Sequence, residues 1–101
     1  MISRHWKGIA RPGRADEYIR HLATETVPQL KRLPGFLGVA ILRRDTGAGT
    51  EFQIITRWAS LDAISAFAGP DVTVAVVPPN VRDLMISYDP EVVHYEIVDP
   101  L

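Results

Sequence analysis

The stretch FLGVAILRRDTGAGTEFQIITRW, residues 36–58, decides the architecture. In its second half Phe52, Ile54, Thr56 and Trp58 fall on one side of an extended chain, and Glu51, Gln53, Ile55 and Arg57 on the other. That is the two-residue period of a β-strand, with one face more polar than the other. In the first half, Phe36 to Arg44, the residues Phe36, Leu37, Val39, Ile41 and Leu42 read as a second extended run. Asp45-Thr46-Gly47-Ala48-Gly49 between them is made of residues that accept turn geometry, so the two runs form a hairpin.

Working outward, the hairpin is preceded by a different period. Tyr18, Ile19, Leu22, Ala23, Val27 and Leu30 return every three or four residues, while Arg14, Asp16, Glu17, Arg20 and Glu25 fall between them, which predicts an amphipathic helix ending before Pro34-Gly35. Pro28 removes a backbone donor inside it and predicts a kink or a break into two segments. Ile2 to Arg11, closed by Pro12-Gly13, reads as a first strand.

Beyond the hairpin, Ser60 caps a short helix with Leu61, Ile64, Ala66, Phe67 and Ala68, closed by Gly69-Pro70. Asp71 to Val77 supports two readings: its valines suit a strand, whereas the Asp71 cap and the overall topology favour a further helical turn. Asn80 to Ile86 reads as a short helix or turn with Val81, Leu84 and Met85 inward. Pro90 to Val98, with Val92, Val93, Tyr95, Ile97 and Val98, predicts a largely buried last strand.

The order strand, helix, strand, strand, helical region, strand is a split βαβ arrangement. It predicts an α+β, ferredoxin-like fold with a four-stranded antiparallel sheet and both crossovers on one face. The opposite face is left bare and apolar, and a second copy of the chain is its simplest cover, giving a homodimer.

At 101 residues the chain has room for one domain, residues 1–101. Hydrophobic content of 47% against 23% charged residues is ordinary globular composition. A formal net charge of -1 leaves no basic footprint for nucleic acid or an anionic bilayer. The absence of cysteine removes disulfides, thiolate metal sites and thiol nucleophiles, and suits a reducing compartment. Met1 to Ala10 lacks the apolar stretch of a signal peptide, and no segment approaches the roughly 20 apolar residues of a membrane helix. The expectation is a soluble, cytoplasmic protein.

Thr26-Val27-Pro28, Leu33-Pro34-Gly35-Phe36, and Trp58-Ala59-Ser60 leading into Phe67 resemble the antibiotic biosynthesis monooxygenase-like family over nearly the whole chain. The resemblance implies two sheets packed face to face as a dimeric α+β barrel. Family members include cofactor-independent oxygenases acting on polyketide-like aromatic substrates, haem-degrading enzymes and proteins that process signalling molecules, so membership does not fix function. The haem-degrading members use an asparagine on strand one and a histidine in the second helical region. This sequence has no asparagine before Asn80 and no histidine between His21 and His94, so that constellation is not expected.

Among residues that could carry chemistry, His94 interrupts an apolar strand. Alternation puts His94 and Glu96 on one face and Tyr95 on the other. Facing a cavity, His94 is a proton acceptor suited to near-neutral pH; otherwise it is a hydrogen-bonded histidine at an interface or sheet edge. His5 and Trp6 occupy the middle of strand one, and His5 is expected to approach His94. Two imidazoles would suit a proton shuttle or a metal, but no carboxylate at ligand spacing accompanies them, so no metal is expected. Trp58 either walls a pocket or fills the gap between sheet and helix. Arg57, with Gln53 on its face, either orients an anionic or carbonyl-bearing ligand or is solvated. Tyr18 and His21 read as surface or boundary residues, and Tyr88 and Asp89 as a turn without chemistry.

Two functions follow. One is a cofactor-independent or flavin-assisted monooxygenase acting without metal on a small hydrophobic or aromatic substrate, with catalytic His94 and binding residues His5, Trp6, Arg57 and Trp58. The alternative is a non-catalytic dimer that binds a small hydrophobic molecule.

Overall fold

A computed structural model of the chain describes residues 1–98. The hairpin strands are β2 (Phe36–Asp45) and β3 (Thr50–Trp58), paired antiparallel with Ile41 opposite Ile54 and Val39 opposite Thr56. β3 pairs along its whole length with β1 (Ile2–Ala10), antiparallel, with Arg4 opposite Thr56 and Trp6 opposite Ile54. The fourth position in the sheet is shared by two short strands. β4 (Met85–Tyr88) pairs with the Gly8–Ala10 end of β1, and β5 (Val93–Glu96) pairs with Ile2 to His5. The antiparallel order β2-β3-β1, flanked by β4 and β5, is the ferredoxin-like sheet that the split βαβ reading predicts.

The last strand is therefore shorter than expected. Pro90 has no N–H to give a ladder, and its carbonyl instead accepts the Ala75 N–H at 3.0 Å while the Val92 N–H goes to the Thr73 carbonyl at 2.8 Å. The chain leaves the sheet between β4 and β5 to make these bonds. Val93 and Tyr95 are exposed in the single chain, where the sequence predicted burial.

The long helix is continuous but changes its winding. α1 (Ala15–His21) passes into a π-helical turn, Leu22–Thr26, and then into α2 (Val27–Lys31). The Val27 N–H reaches the Leu22 carbonyl, one residue further than an α-helical bond. In an α-helix the Pro28 ring would press on the carbonyl four residues back, that of Thr24. Widening the preceding turn relieves that contact, so the proline gives a π-turn where a kink or break was expected. Thr24 Oγ1 donates to the Arg20 carbonyl at 2.8 Å within the same turn.

α3 (Leu61–Ala68) begins at Ser60, whose Oγ accepts the Ala63 N–H at 3.2 Å. Residues 71–77 are not helical, contrary to the favoured expectation. The Asp71 carboxylate accepts both the N–H and the O–H of Thr73, a local turn that competes with a helix start. The β-branched run that follows lies beside residues 90–92, with Val74 bridged to Glu91. α4 (Pro79–Arg82) starts at the second of the two prolines.

The helices cover one sheet face in two apolar clusters. Ala10, Tyr18, Leu22, Phe52, Val81, Leu84 and Met85 form the first. Leu30, Trp58 and Ile64 form the second, with Phe36 and Phe67 packed against it. The opposite face carries His5, Leu42, Ile55, Val93 and Tyr95 without a covering layer.

Candidate functional site

Alternation along β1 sends Ile2, Arg4, Trp6, Gly8 and Ala10 toward the helices, and along β3 it sends Phe52, Ile54, Thr56 and Trp58 the same way. Arg4 and Thr56 are thus neighbours in the gap between the two apolar clusters. A chamber of about 70 Å³ occupies the gap, walled by Arg4, Trp6, Leu22, Leu30, Ile54, Thr56, Phe67 and Val81. Beside it lies a second, solvent-open space, a vestibule of about 530 Å³. His21, Thr26, Phe67 and Val76 line both spaces and so form the neck between them.

The π-turn shapes this neck. Tyr18, Leu22, Thr26 and Leu30 all line the chamber at a spacing of four residues. In an unbroken α-helix each four-residue step overshoots the face by about 40°. The wider turn between Leu22 and Thr26 takes back part of that overshoot and keeps the four residues on one side.

Arg4 is 5% exposed and has no carboxylate partner among the described residues. Its Nη1 donates to the Val72 carbonyl and lies 3.1 Å from His94 Nε2, and its Nη2 donates to the Val74 carbonyl at 3.0 Å. The non-helical 71–77 stretch thereby supplies the acceptors. Burial lowers the guanidinium to about 10, which leaves it charged at neutral pH. Thr56 Oγ1 accepts the indole N–H of Trp58 at 2.8 Å, so its own O–H is left to donate. Burial pushes the Tyr18 phenol above its usual range.

The sequence-predicted residues divide between the two sheet faces. His94 sits directly opposite Arg4, on the chamber side, behind the guanidinium. Burial, then the Arg4 charge and His5, hold its imidazole below the ordinary value, so it is neutral near pH 7 and accepts from Arg4. His5 points the other way, with Nε2 at 2.5 Å from Ser3 Oγ and its ring edge-on to Tyr95 at 4.9 Å. The two imidazoles therefore do not converge on one cavity. Trp6 lines the chamber, and its Nε1 donates to the Asp89 carbonyl at 2.9 Å. Trp58 is fully buried in the second cluster, against Phe36 and Phe67. Arg57 lies on the open face.

Sequence reasoning gives Arg4 and Thr56 no role at the site, sets Tyr18 and His21 aside, and uses Phe67 only as a helix and motif residue. The available signal was Arg4 itself, a charge in the inward alternation Ile2, Arg4, Trp6, Gly8, Ala10. His21 Nδ1 lies 3.4 Å from Asn80 Nδ2 at the neck.

The geometry defines an α+β domain with a mostly apolar cavity of two adjoining spaces against one sheet face. The chain belongs to the antibiotic biosynthesis monooxygenase family, whose model matches residues 1–75. The match takes in Arg4, Thr56 and Trp58 and stops short of His94. No curated protein matches the chain. Among solved structures, an antibiotic-biosynthesis-monooxygenase-type protein from Bacillus cereus is 16% identical with a TM-score of 0.66, covering 99% of this chain and 93% of that one. A similar protein from Chloroflexus aurantiacus is 21% identical with a TM-score of 0.65, covering 99% and 95%. A heme-degrading protein from Mycobacterium tuberculosis is 22% identical with a TM-score of 0.63, covering 100% and 96%. At these identities the likeness is one of fold.

The residues present do not fit a haem in the inner chamber. The space is about half of the roughly 150 Å³ that accommodates benzene, far below a porphyrin. The β1 residues lining it are Arg4 and Trp6, and its one lining imidazole, His21, lies at the neck beside Asn80. Among the described residues no three of His, Asp and Glu come together as a metal set. No helix there is long and apolar enough to cross a membrane.

Proposed function

We propose that the chain is a monooxygenase acting on a small hydrophobic or aromatic substrate held between sheet and helices. The apolar chamber behind a solvent-open vestibule carries this reading. Such a space strips water from an electron-rich substrate carbon and strengthens every electrostatic contact within it. In a cofactor-independent route, a base removes a proton from an activated substrate CH2. The carbanion reduces dioxygen, one oxygen atom stays as the new C=O, and the other leaves as water.

His94 is the first candidate for the base, because its neutral ring can accept a proton. Its Nε2 lone pair is occupied by Arg4, so the role requires Arg4 to turn its Nη1–H toward the substrate. That same bond favours a second reading, a dimer that binds without turnover.

Oxygen uptake with a panel of anthrone-like and phenolic compounds separates the two. Turnover lost in His94→Ala with substrate affinity retained supports the oxygenase with His94 as base. Binding without uptake by the parent protein leaves the binder.

We further propose that the protein works as a homodimer closed over the open sheet face. Leu42, Val93 and Tyr95 are 49%, 52% and 56% exposed there, an apolar surface that a second sheet would cover.

A further inference from the structure

Arg4 is a buried cation whose charge the proton abstraction by His94 does not itself explain. Its charge is held in a low-dielectric gap by two backbone carbonyls and a neutral imidazole, with no anion beside it among the described residues. Burying a guanidinium without a counter-charge is costly, so its presence on a ligand-sized wall calls for a reason. Of its five N–H groups, both on Nη1 and one on Nη2 are engaged. The Nε–H and the second Nη2–H have no partner among the described residues. Arg4 lines the chamber, and its Nε, without a partner, is not fully enclosed by protein.

Thr56 completes the set. It lies directly opposite Arg4 on the adjacent strand and faces the same way, which puts the two side chains within reach of one small group. Because Trp58 donates into Oγ1, the threonine O–H is turned outward as a donor. The chamber floor therefore presents one positive charge and N–H and O–H donors, with no carboxylate among the described residues that line it.

We propose that the ligand of this site is an aromatic carboxylate, whose carboxylate group enters the inner chamber and bonds Arg4 and Thr56 while its ring lies in the vestibule. The proposal rests on the reading of this cavity as the substrate site and names the substrate class. Size selects the carboxylate over a phenolate. About 70 Å³ is close to half of the roughly 150 Å³ cavity that takes up benzene, so the chamber admits a carboxylate more readily than a whole ring. A phenolate oxygen could reach Arg4 only with its ring inside the chamber, whereas a carboxylate projects from its ring. The 530 Å³ vestibule beyond the neck has room for the aromatic body. Phe67 stands at the neck, and the Arg4 guanidinium carbon lies 6.0 Å from its ring centroid, so charge and aromatic wall are adjacent.

The test is calorimetric titration of the full chain with 2-naphthoate, 2-naphthamide and 2-naphthol at pH 7. The naphthoate is expected to bind about tenfold or more tightly than the amide, the gain of a charge-assisted bond pair in a dry site. Arg4→Met and Thr56→Val are expected to cut that preference to less than about threefold, with the acid losing more affinity than the amide. If Arg4→Met fails to fold, Thr56→Val and the wild-type preference still decide. Equal binding of acid and amide, tighter binding of the naphthol, a preference surviving both substitutions, or no binding of any of the three would overturn the proposal. The oxygenase reading fails on a different measurement, the absence of oxygen uptake, and a carboxylate preference without uptake would leave this site standing as a binding site.

Discussion

Trp58 and Thr56, two residues apart on the inward face of β3, are joined by a 2.8 Å hydrogen bond from the indole N–H to Oγ1. The tryptophan that fills the second apolar cluster therefore also fixes the rotation of a hydroxyl in the chamber, and the core and the site share one bond.

That sharing is measurable as non-additivity. Thr56→Val alone leaves the buried indole N–H without its acceptor and is expected to cost about 1–3 kcal/mol in urea unfolding. Trp58→Phe removes the donor, so Thr56→Val made in that background should cost less. A coupling of at least about 0.5 kcal/mol is expected from the double-mutant cycle, and simple additivity would mean that the bond contributes nothing.

Two glycines separate backbone strain from packing. Gly13 and Gly35 have nearly the same left-handed φ, 80° and 83°. A Cβ at Gly13 meets nothing within 4 Å, whereas one at Gly35 would stand 2.6 Å from the Ala63 Cβ on α3. Gly13→Ala is expected to cost about 1 kcal/mol. Gly35→Ala should cost roughly 2–4 kcal/mol once overpacking is added. Ala63→Gly in the Gly35→Ala background should recover most of the excess. Equal costs at the two positions would show that α3 yields freely.

Much of this was legible in the sequence because it depends on local rules. The period of residues 50–58 gave β3 with its bounds, and Ser60 marked the start of α3. What escaped was long-range bonding. The Asp71 cap and the topology favour a helical reading of residues 71–77, yet the Val72 and Val74 carbonyls are taken by Arg4, 68 and 70 residues away. Their neighbours bond to residues 90–92, which breaks the last strand. Strand alternation put His94 on the face opposite Tyr95. It did not reveal that His94 would be shielded from the chamber by Arg4, since the side chain across the pair is set by register. Tyr18 and His21 were undervalued because the π-turn changes which helical residues share a face.

The imidazoles link stability to pH in a defined direction. His94 and His5 both titrate below the ordinary 6.5 in the folded chain, chiefly through burial. Below about pH 6.5 the unfolded chain therefore binds more protons than the folded one, and stability rises with pH in that window. Stability should be complete above pH 6.5, fall as the pH drops through the unfolded value, and level off once the folded histidines are protonated too. For His94 the Arg4 charge adds to burial, so His94→Gln should flatten the slope of melting temperature between pH 7 and 5. An unchanged slope in that variant would place the effect elsewhere.

The proposed dimer uses the sheet face opposite the chamber, so association and ligand binding should be separable. At micromolar concentration the protein is expected to sediment at twice its 11.2 kDa chain mass. Leu42 and Val93 stand on the open face of strands on either side of the central β3–β1 pair. A carboxylate at each would be buried without a partner if a second sheet packs there. Leu42→Glu/Val93→Glu should therefore sediment at the single-chain mass while keeping its circular dichroism spectrum. Because Arg4, Thr56 and Phe67 lie on the other side of the sheet, the variant should still distinguish 2-naphthoate from 2-naphthamide. A parent protein found only as a single chain would remove the dimer. A monomeric variant that folds but no longer prefers the acid would show that the second copy holds the chamber in its binding form.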